Sequence, residues 1–447
     1  MGEERIDILN RDQFVESLFT IINTLSNNRK SCMFAIDGDW GSGKSFVLNM
    51  LEEKLSEWQN EETATNQYMV FHYNCWQYDY YDEPLVAIAS ALYDDAISES
   101  SIIPPKVRIA LLSVLCFIGL STKEFANNIF KELSSIDLNK VHKNTREKIE
   151  EYKSKGKPDD DLLSIRESIE ATRDVLEEIA EDTTVVVVVD ELDRCLPEYA
   201  IKVLERLHHL FDGIENLIVV LAVDKNQLDK TINRIFGTDV QKIDSYLKKF
   251  ISFEVELDKG IINENYKEKY NHYLSLFNEN DGDFDIDNYI QLLLQPFDAR
   301  KRDRYIEKAL LIHNLVFEEK VDVSIMCVEM LWIVCADICA DHMEFSESTK
   351  LPKRICETNP AFEDFFYSEI SGEYRLSEYI NPTFNIIAYY EMDSQNINVQ
   401  KQILYYIHNH PYYPHRIEFN KETDETAYID KNVKLLQKFI EYLSIIK

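Results

Sequence analysis

What this sequence has little of narrows it first. Basic charge is scarce: 48 lysines and arginines stand against 80 aspartates and glutamates, for a formal net charge of −32. A broad nucleic-acid-binding face needs a basic patch to meet phosphate, so that class is excluded as a general property, though not as a local one. Long apolar runs are missing too. The longest, residues 109–120, falls short of the about 20 residues that a bilayer core demands. Lys106 and Arg108 just before it leave peripheral membrane contact open, while a buried helix accounts for the same residues. The 8 cysteines have no paired spacing and no signal peptide precedes them, which points to a reducing, cytoplasmic setting. No internal repeat is evident.

What is present is core-forming material. The chain has 447 residues, 45% hydrophobic and 12% aromatic, enough for two or three packed domains. Its centre of organisation is Gly38-Asp39-Trp40-Gly41-Ser42-Gly43-Lys44-Ser45, followed by Phe46 and preceded by the apolar run 33–36. The pattern predicts a buried strand, a glycine-rich loop and a helix beginning near Ser45, the context in which this spacing binds phosphate. Glycines let successive N–H groups turn inward around an anion, and the helix N-terminus adds partial positive charge. Lys44 is placed to reach the β- and γ-phosphates, and the Ser45 hydroxyl to ligate Mg²⁺.

A second stretch completes the chemistry. Val185 to Val189 is an unbroken β-branched run ending in Asp190 and Glu191, the mark of a parallel strand buried on both faces. A carboxylate at the tip of such a strand lies beside the phosphate loop, because ligands bind at the carboxyl ends of a doubly wound sheet. Asp190 suits Mg²⁺, directly or through water. Glu191 suits a general base that polarises the attacking water. The bland alternative is a strand ending in a solvated acidic turn.

Taken in order, residues 1–30 carry Asp12 as a helix N-cap with Phe14, Leu18, Ile21, Ile22 and Leu25 at helical spacing, and Ile8 and Leu9 available to cover an adenine ring. A second strand is expected over 68–76, followed by an aromatic and acidic loop over 78–83. Residues 84–182 read as a long helical insertion that includes the charged segment 140–161. A helix is expected over 199–211, a buried strand over 217–223 ending in Asp224-Lys225, and a fifth strand over 250–257. Asp224 at that strand end would face the γ-phosphate. Beyond 265 the chain reads as helical, with Arg300, Arg302 and Arg304 on an amphipathic helix opening at Asp298 and a tyrosine-rich tail from about 320.

With these segments assembled, the chain resembles the KAP family of P-loop NTPases. The residues that carry the resemblance are IDGDWGSGKSF (36–46), FHYNCWQYDYYDEP (71–84), VVVDELDRC (187–195), VVLAVDKNQL (219–228), YLKKFISFEVEL (246–257) and DARKRDRYI (298–306), in family order over roughly the first 315 residues. The resemblance implies an α/β fold, an additional-strand (ASCE) parallel sheet flanked by helices, ATP and Mg²⁺ as ligands, and association with signalling scaffolds in animal members or phage exclusion in bacterial ones. The family often inserts transmembrane helices between the two nucleotide motifs, and this insertion lacks a convincing membrane hairpin. Glu191 stands where an Asp is commoner in the family, a departure that favours hydrolysis. Guanine is disfavoured because the N-K-x-D turn of GTPases is replaced by Val223-Asp224-Lys225-Asn226.

The expected organisation is a nucleotide-binding core over 1–260, a helical lid over 261–320 and a mainly helical C-terminal domain over 321–447. Arg300, or Arg304 one turn on, could supply a contact from the lid to the γ-phosphate, and a solvated helix face explains either. Arg194 could be an arginine finger reaching a neighbouring protomer, or could tie its own loop to Asp193 or an adjacent acid. Cys335, Cys339 and His342 on one helical stripe, the histidines at 408, 410 and 415, and the acidic loop 281–287 read as packing or solvated loop rather than metal sites. The leading expectation is an ATP-driven switch, forming a homo-oligomer or acting on a protein effector. A non-hydrolysing scaffold and a small-molecule kinase are the alternatives, since nothing suits a nuclease, protease or deaminase.

Overall fold

The computed structural model describes residues 6–59, 66–98, 165–237, 246–278, 286–321 and 323–340, with scattered positions between 435 and 446. They fall into two units, Arg11–Asp258 on one side and Met1–Asn10 with Lys259–Lys447 on the other. The expected segments 109–120 and 140–161, the loop 281–285, His342 and the histidines beyond 400 lie outside the described residues, as do the Cys335 and Cys339 side chains.

The first unit is a parallel sheet between two helical layers. Its strands are β1 (Cys32–Asp37), β2 (Tyr68–Asn74), β3 (Thr184–Asp190), β4 (Leu217–Val223) and β5 (Glu254–Glu256), in the spatial order β2-β3-β4-β1-β5. Side chains alternate across a strand, and here the alternation divides two cores. Val185, Val187 and Val189 of β3 enter one cluster with Leu217, Val219 and Leu221 of β4. Val186 and Val188 enter the opposite cluster with Ile218 and Val220. That is why an unbroken valine run is required: with both faces covered, positions 185–189 are all apolar, and polar Thr184 and Asp190 fall at the two ends of the strand.

Helices α1 (Arg11–Asn27) and α2 (Lys44–Glu57) cover one face. The other is covered by α3 (Pro84–Ser98), α4 (Ile165–Asp182), α5 (Pro197–Phe211) and α6 (Lys225–Phe236). On α2, Val47, Leu48, Leu51 and Leu55 recur every three or four residues and are fully buried.

β4 lies between β1 and β3, as the expected additional-strand sheet requires. Other expectations are corrected. β5 has three residues rather than eight. It is an edge strand with glutamates at both ends, and a short charged edge resists pairing with another chain. On α1 the buried stripe is Val15, Leu18, Phe19, Ile22 and Ser26, while Phe14, Ile21 and Leu25 pack at its margin. Asp12 falls within the first turn rather than before it.

The second unit is helical among its described residues. Helices α7 (Ile286–Leu294), α8 (Ala299–Val316) and α9 (Val323–Ala340) share one core, joined by Phe439 and Leu443 of the C-terminal positions. Ile8 and Leu9 are buried in this core with Ile262 and Tyr266, and the Ile8 carbonyl accepts from the Asn263 amide at 2.9 Å. They are therefore core residues of this unit, not a cover for an adenine ring. Within the same core, fully buried Glu329 accepts from Tyr273 Oη at 2.9 Å and lies 2.9 Å from His313 Nδ1. No helix of the described residues is long and apolar enough to cross a membrane.

Candidate nucleotide site

The phosphate loop leaves β1 at Asp37 and is shaped by its glycines. The Gly38 amide donates to the Val223 carbonyl at 3.1 Å, drawing the loop onto the end of β4. A Cβ on Gly38 would lie 2.7 Å from Ser42 Oγ and 3.2 Å from Leu257 Cβ, so any other residue forces the Ser42 hydroxyl and Leu257 to give way. Gly41 and Gly43 have φ of 85° and 95°, a left-handed backbone that glycine adopts without steric penalty. Gly43 is the last residue before α2, whose first turn leaves unsatisfied N–H groups facing the loop.

Lys44 is buried. Its Nζ donates to the Gly38 carbonyl at 2.7 Å and the Asp39 carbonyl at 3.3 Å, and lies 3.9 Å from Asp193 Oδ2. Sequence reading offered Asp193 only as a partner for Arg194. Burial pushes its carboxyl upward in pKa, a shift that the Lys44 ammonium opposes. Ser42 Oγ is buried with no hydrogen-bond partner among the described residues. Ser45 and Phe46 are half-buried on α2, while Asp39 and Trp40 are exposed.

At the end of β3, Asp190 is buried and its Oδ1 accepts from the Glu191 amide at 2.8 Å. Glu191 has φ of 60°, a left-handed conformation that costs a non-glycine residue roughly 1–2 kcal/mol. This bend turns the chain out of the strand into the short 3-10 turn Leu192–Arg194. Inside that turn Arg194 Nη2 meets Glu191 Oε1 at 2.7 Å. Of the two acids weighed for Arg194, Asp193 instead faces Lys44. The Arg194 guanidinium also lies over the Trp76 ring, 5.4 Å from its centroid.

Asp224 is buried at the end of β4 and caps α6, its Oδ1 accepting from the Gln227 amide at 3.1 Å. Arg300 and Arg304 are exposed on α8 in the second unit. Arg302 is not: it is 1% exposed and donates to the Leu294 and Gln295 carbonyls, both at 3.0 Å, closing the end of α7. Arg11, which no sequence signal marked, donates to the Ser42 carbonyl of the loop at 3.0 Å.

A glycine-rich turn packed closely at Gly38, an unsatisfied helix N-terminus and a buried ammonium over backbone carbonyls make an anion site. Two carboxylates at the neighbouring strand tips supply the oxygen donors that a hard divalent cation prefers. Among the described residues, no cluster of His, Cys, Asp and Glu forms a separate metal site.

No curated protein matches the chain. Among solved structures, the Aeropyrum pernix ORC2 protein, determined as ADPNP-ADP complexes, is similar at 12% identity with a TM-score of 0.39, covering 86% of this chain and 88% of that chain. Residues 11–316 match the KAP family P-loop domain, well over half of the chain, and the chain therefore belongs to the KAP family of P-loop NTPases.

Proposed function

We propose that this chain binds ATP with Mg²⁺ and hydrolyses it, the nucleotide state acting as a switch. The observation that carries the reading is the glycine loop with Lys44 drawn over it, 3.9 Å from Asp193 in the same turn as Asp190 and Glu191. In this reading the loop amides and the α2 N-terminus take the β- and γ-phosphates, and Lys44 neutralises charge that builds as the γ-phosphoryl group leaves. Ser45 and Asp190 are the residues suited to Mg²⁺, which when bound lowers the charge on the phosphate oxygens. Glu191 accepts the proton of the water whose oxygen bonds to the γ-phosphorus as the bond to the bridging oxygen breaks, giving ADP and phosphate. Asp224, and Arg300 or Arg304, are assigned to sensing the γ-phosphate. A homo-oligomer or a protein effector is the partner, and bacterial defence against phage the setting, both on the family resemblance alone.

A second reading has one observation in its favour. Glu191 is engaged by Arg194 at 2.7 Å, and a carboxylate held in an ion pair is not free to turn to an attacking water, as suits a scaffold that keeps ATP unhydrolysed.

The test is ATP hydrolysis and ATP binding by the purified full chain against Lys44→Ala and Glu191→Gln, with gel filtration in each nucleotide state. Turnover in the parent that is lost in both variants, with ATP binding and ATP-dependent assembly kept by Glu191→Gln, supports the switch. Tight binding without turnover in the parent favours the scaffold. Absence of both binding and turnover overturns the nucleotide reading.

A further inference from the structure

Arg11 is the first residue of the continuous unit and Asp258 the last. The Arg11 side chain is 2% exposed. Its Nη1 donates to Asp258 Oδ1 at 2.8 Å, and its Nη2 donates to the Asp258 carbonyl at 2.8 Å and the Ser42 carbonyl at 3.0 Å. One guanidinium thus binds the phosphate loop and the point where the chain leaves the unit.

The Ser42 bond fixes more than a carbonyl. In a trans peptide the C=O and N–H point in opposite directions. A carbonyl turned toward Arg11 therefore turns the Gly43 N–H the other way. Gly43 has no side chain to hold its orientation and already sits at φ of 95°, where a glycine peptide rotates easily. Ser42 gives little help: its amide is taken by the Asp39 carbonyl at 3.1 Å and its hydroxyl makes no hydrogen bond among the described residues. Lys44 spends its ammonium on the Gly38 and Asp39 carbonyls, and the Val47 amide holds the next peptide through the Gly43 carbonyl at 3.0 Å. A permanently charged donor holds the Ser42–Gly43 peptide itself, and charge-assisted bonds of this kind are the stronger ones.

We propose that Arg11 is a positioning residue for the phosphate loop. It keeps the Ser42–Gly43 peptide in its anion-binding orientation, and through Asp258 it couples loop occupancy to the chain crossings at 10–11 and 258–259. The coupling half rests on the nucleotide-binding reading above. The positioning half does not.

Hydrogen exchange on the full chain, with and without ATP and Mg²⁺, separates the two. In ligand-free protein, Arg11→Ala speeds exchange of residues 38–46 by about tenfold or more, while β3 and β4, which report global unfolding, exchange as in the parent. In the parent, ATP slows exchange in both 38–46 and 257–263, and in Arg11→Ala the slowing at 257–263 is lost. Should Arg11→Ala not fold, Arg11→Lys, which keeps the charge but not the fork, carries the same comparison. Unchanged ligand-free exchange at 38–46 overturns the positioning role. Slowing at 257–263 that survives in the variant overturns the coupling. If ATP slows nothing in the parent, the nucleotide reading and the coupling fall together, and the ligand-free comparison still decides the positioning role.

Discussion

Arg194 Nη2 lies 2.7 Å from Glu191 Oε1, so the guanidinium serves its own chain and engages the very carboxylate assigned to activating water. The side chains are 22% and 14% exposed, which shields the pair from solvent without isolating it. Removing the arginine frees the Glu191 carboxylate to turn toward the attacking water. If the pair is worth about 1 kcal/mol, Arg194→Ala raises ATP turnover about fivefold, with ATP affinity unchanged. A fall in turnover instead would assign Arg194 to stabilising phosphoryl charge. Steady-state kinetics at saturating ATP distinguishes the two.

Two glycines of the loop are needed for different reasons, and alanine at each separates them. Gly38→Ala places a methyl 2.7 Å from Ser42 Oγ and 3.2 Å from Leu257 Cβ, so the loop must shift. ATP affinity falls about tenfold or more, and stability by about 1–3 kcal/mol. Gly43→Ala meets nothing within 4 Å and carries only the strain of its positive φ, about 1 kcal/mol. Titration of a fluorescent ATP analogue, with thermal melts, reads both.

The three arginines of α8 differ in kind. Arg302→Ala leaves the Leu294 and Gln295 carbonyls without their donor inside a packed core and destabilises the helical unit by about 2–4 kcal/mol. Arg300→Ala and Arg304→Ala, both at exposed positions, change stability by less than about 0.5 kcal/mol. A loss of ATP turnover in either variant without a shift of the melt supports the proposed sensing role for that arginine, and unchanged turnover in both overturns it.

His72 gives the nucleotide unit a pH dependence. On β2, its Nδ1 lies 2.6 Å from Glu52 Oε1 on α2. Burial works against the charged ring, but the bond to Glu52 and the nearby carboxylates of Glu52, Asp190 and Asp95 outweigh it and raise the pKa above 6.5. The folded chain therefore binds this proton more tightly than the unfolded one. The stability it contributes is complete below about pH 6.5 and drains away as pH rises through the higher folded value. Denaturation followed from pH 6 to 9 shows that decline in the parent. Glu52→Gln flattens it.

How much of this was legible in the sequence follows from how local each cause is. The valine run of β3 and the loop 38–45 encode their own structure, since alternation and glycine spacing act within a few residues. β4 was readable end to end for the same reason. β5 is shorter than its alternation predicts because its pairing with β1 runs only from Ala35 opposite Glu254 to Asp37 opposite Glu256, and alternation within a segment does not show where an edge strand meets its neighbour. Arg11 was invisible: its partners lie 31 and 247 residues away, and a lone arginine before an amphipathic stretch carries no mark of either. Arg302 resembled its neighbours because periodicity identifies the inward face of α8 but not which charged residue can bury its head on helix-end carbonyls. Asp193 was in view within the acidic turn, yet the bend at Glu191 that aims it toward Lys44 is a backbone fact that no residue type announces.

The division of the chain into one continuous and one interrupted unit has a consequence for synthesis. Everything the nucleotide unit needs has left the ribosome once residue 258 is clear, so its two cores can close while the rest is still being made. Ile8 and Leu9 are made before the nucleotide unit but belong to a core whose other members begin at Ile262. Until those emerge, this apolar pair has no partner of its own and is exposed to chaperones and to neighbouring nascent chains. Residues translated ahead of the nucleotide unit are therefore buried after it.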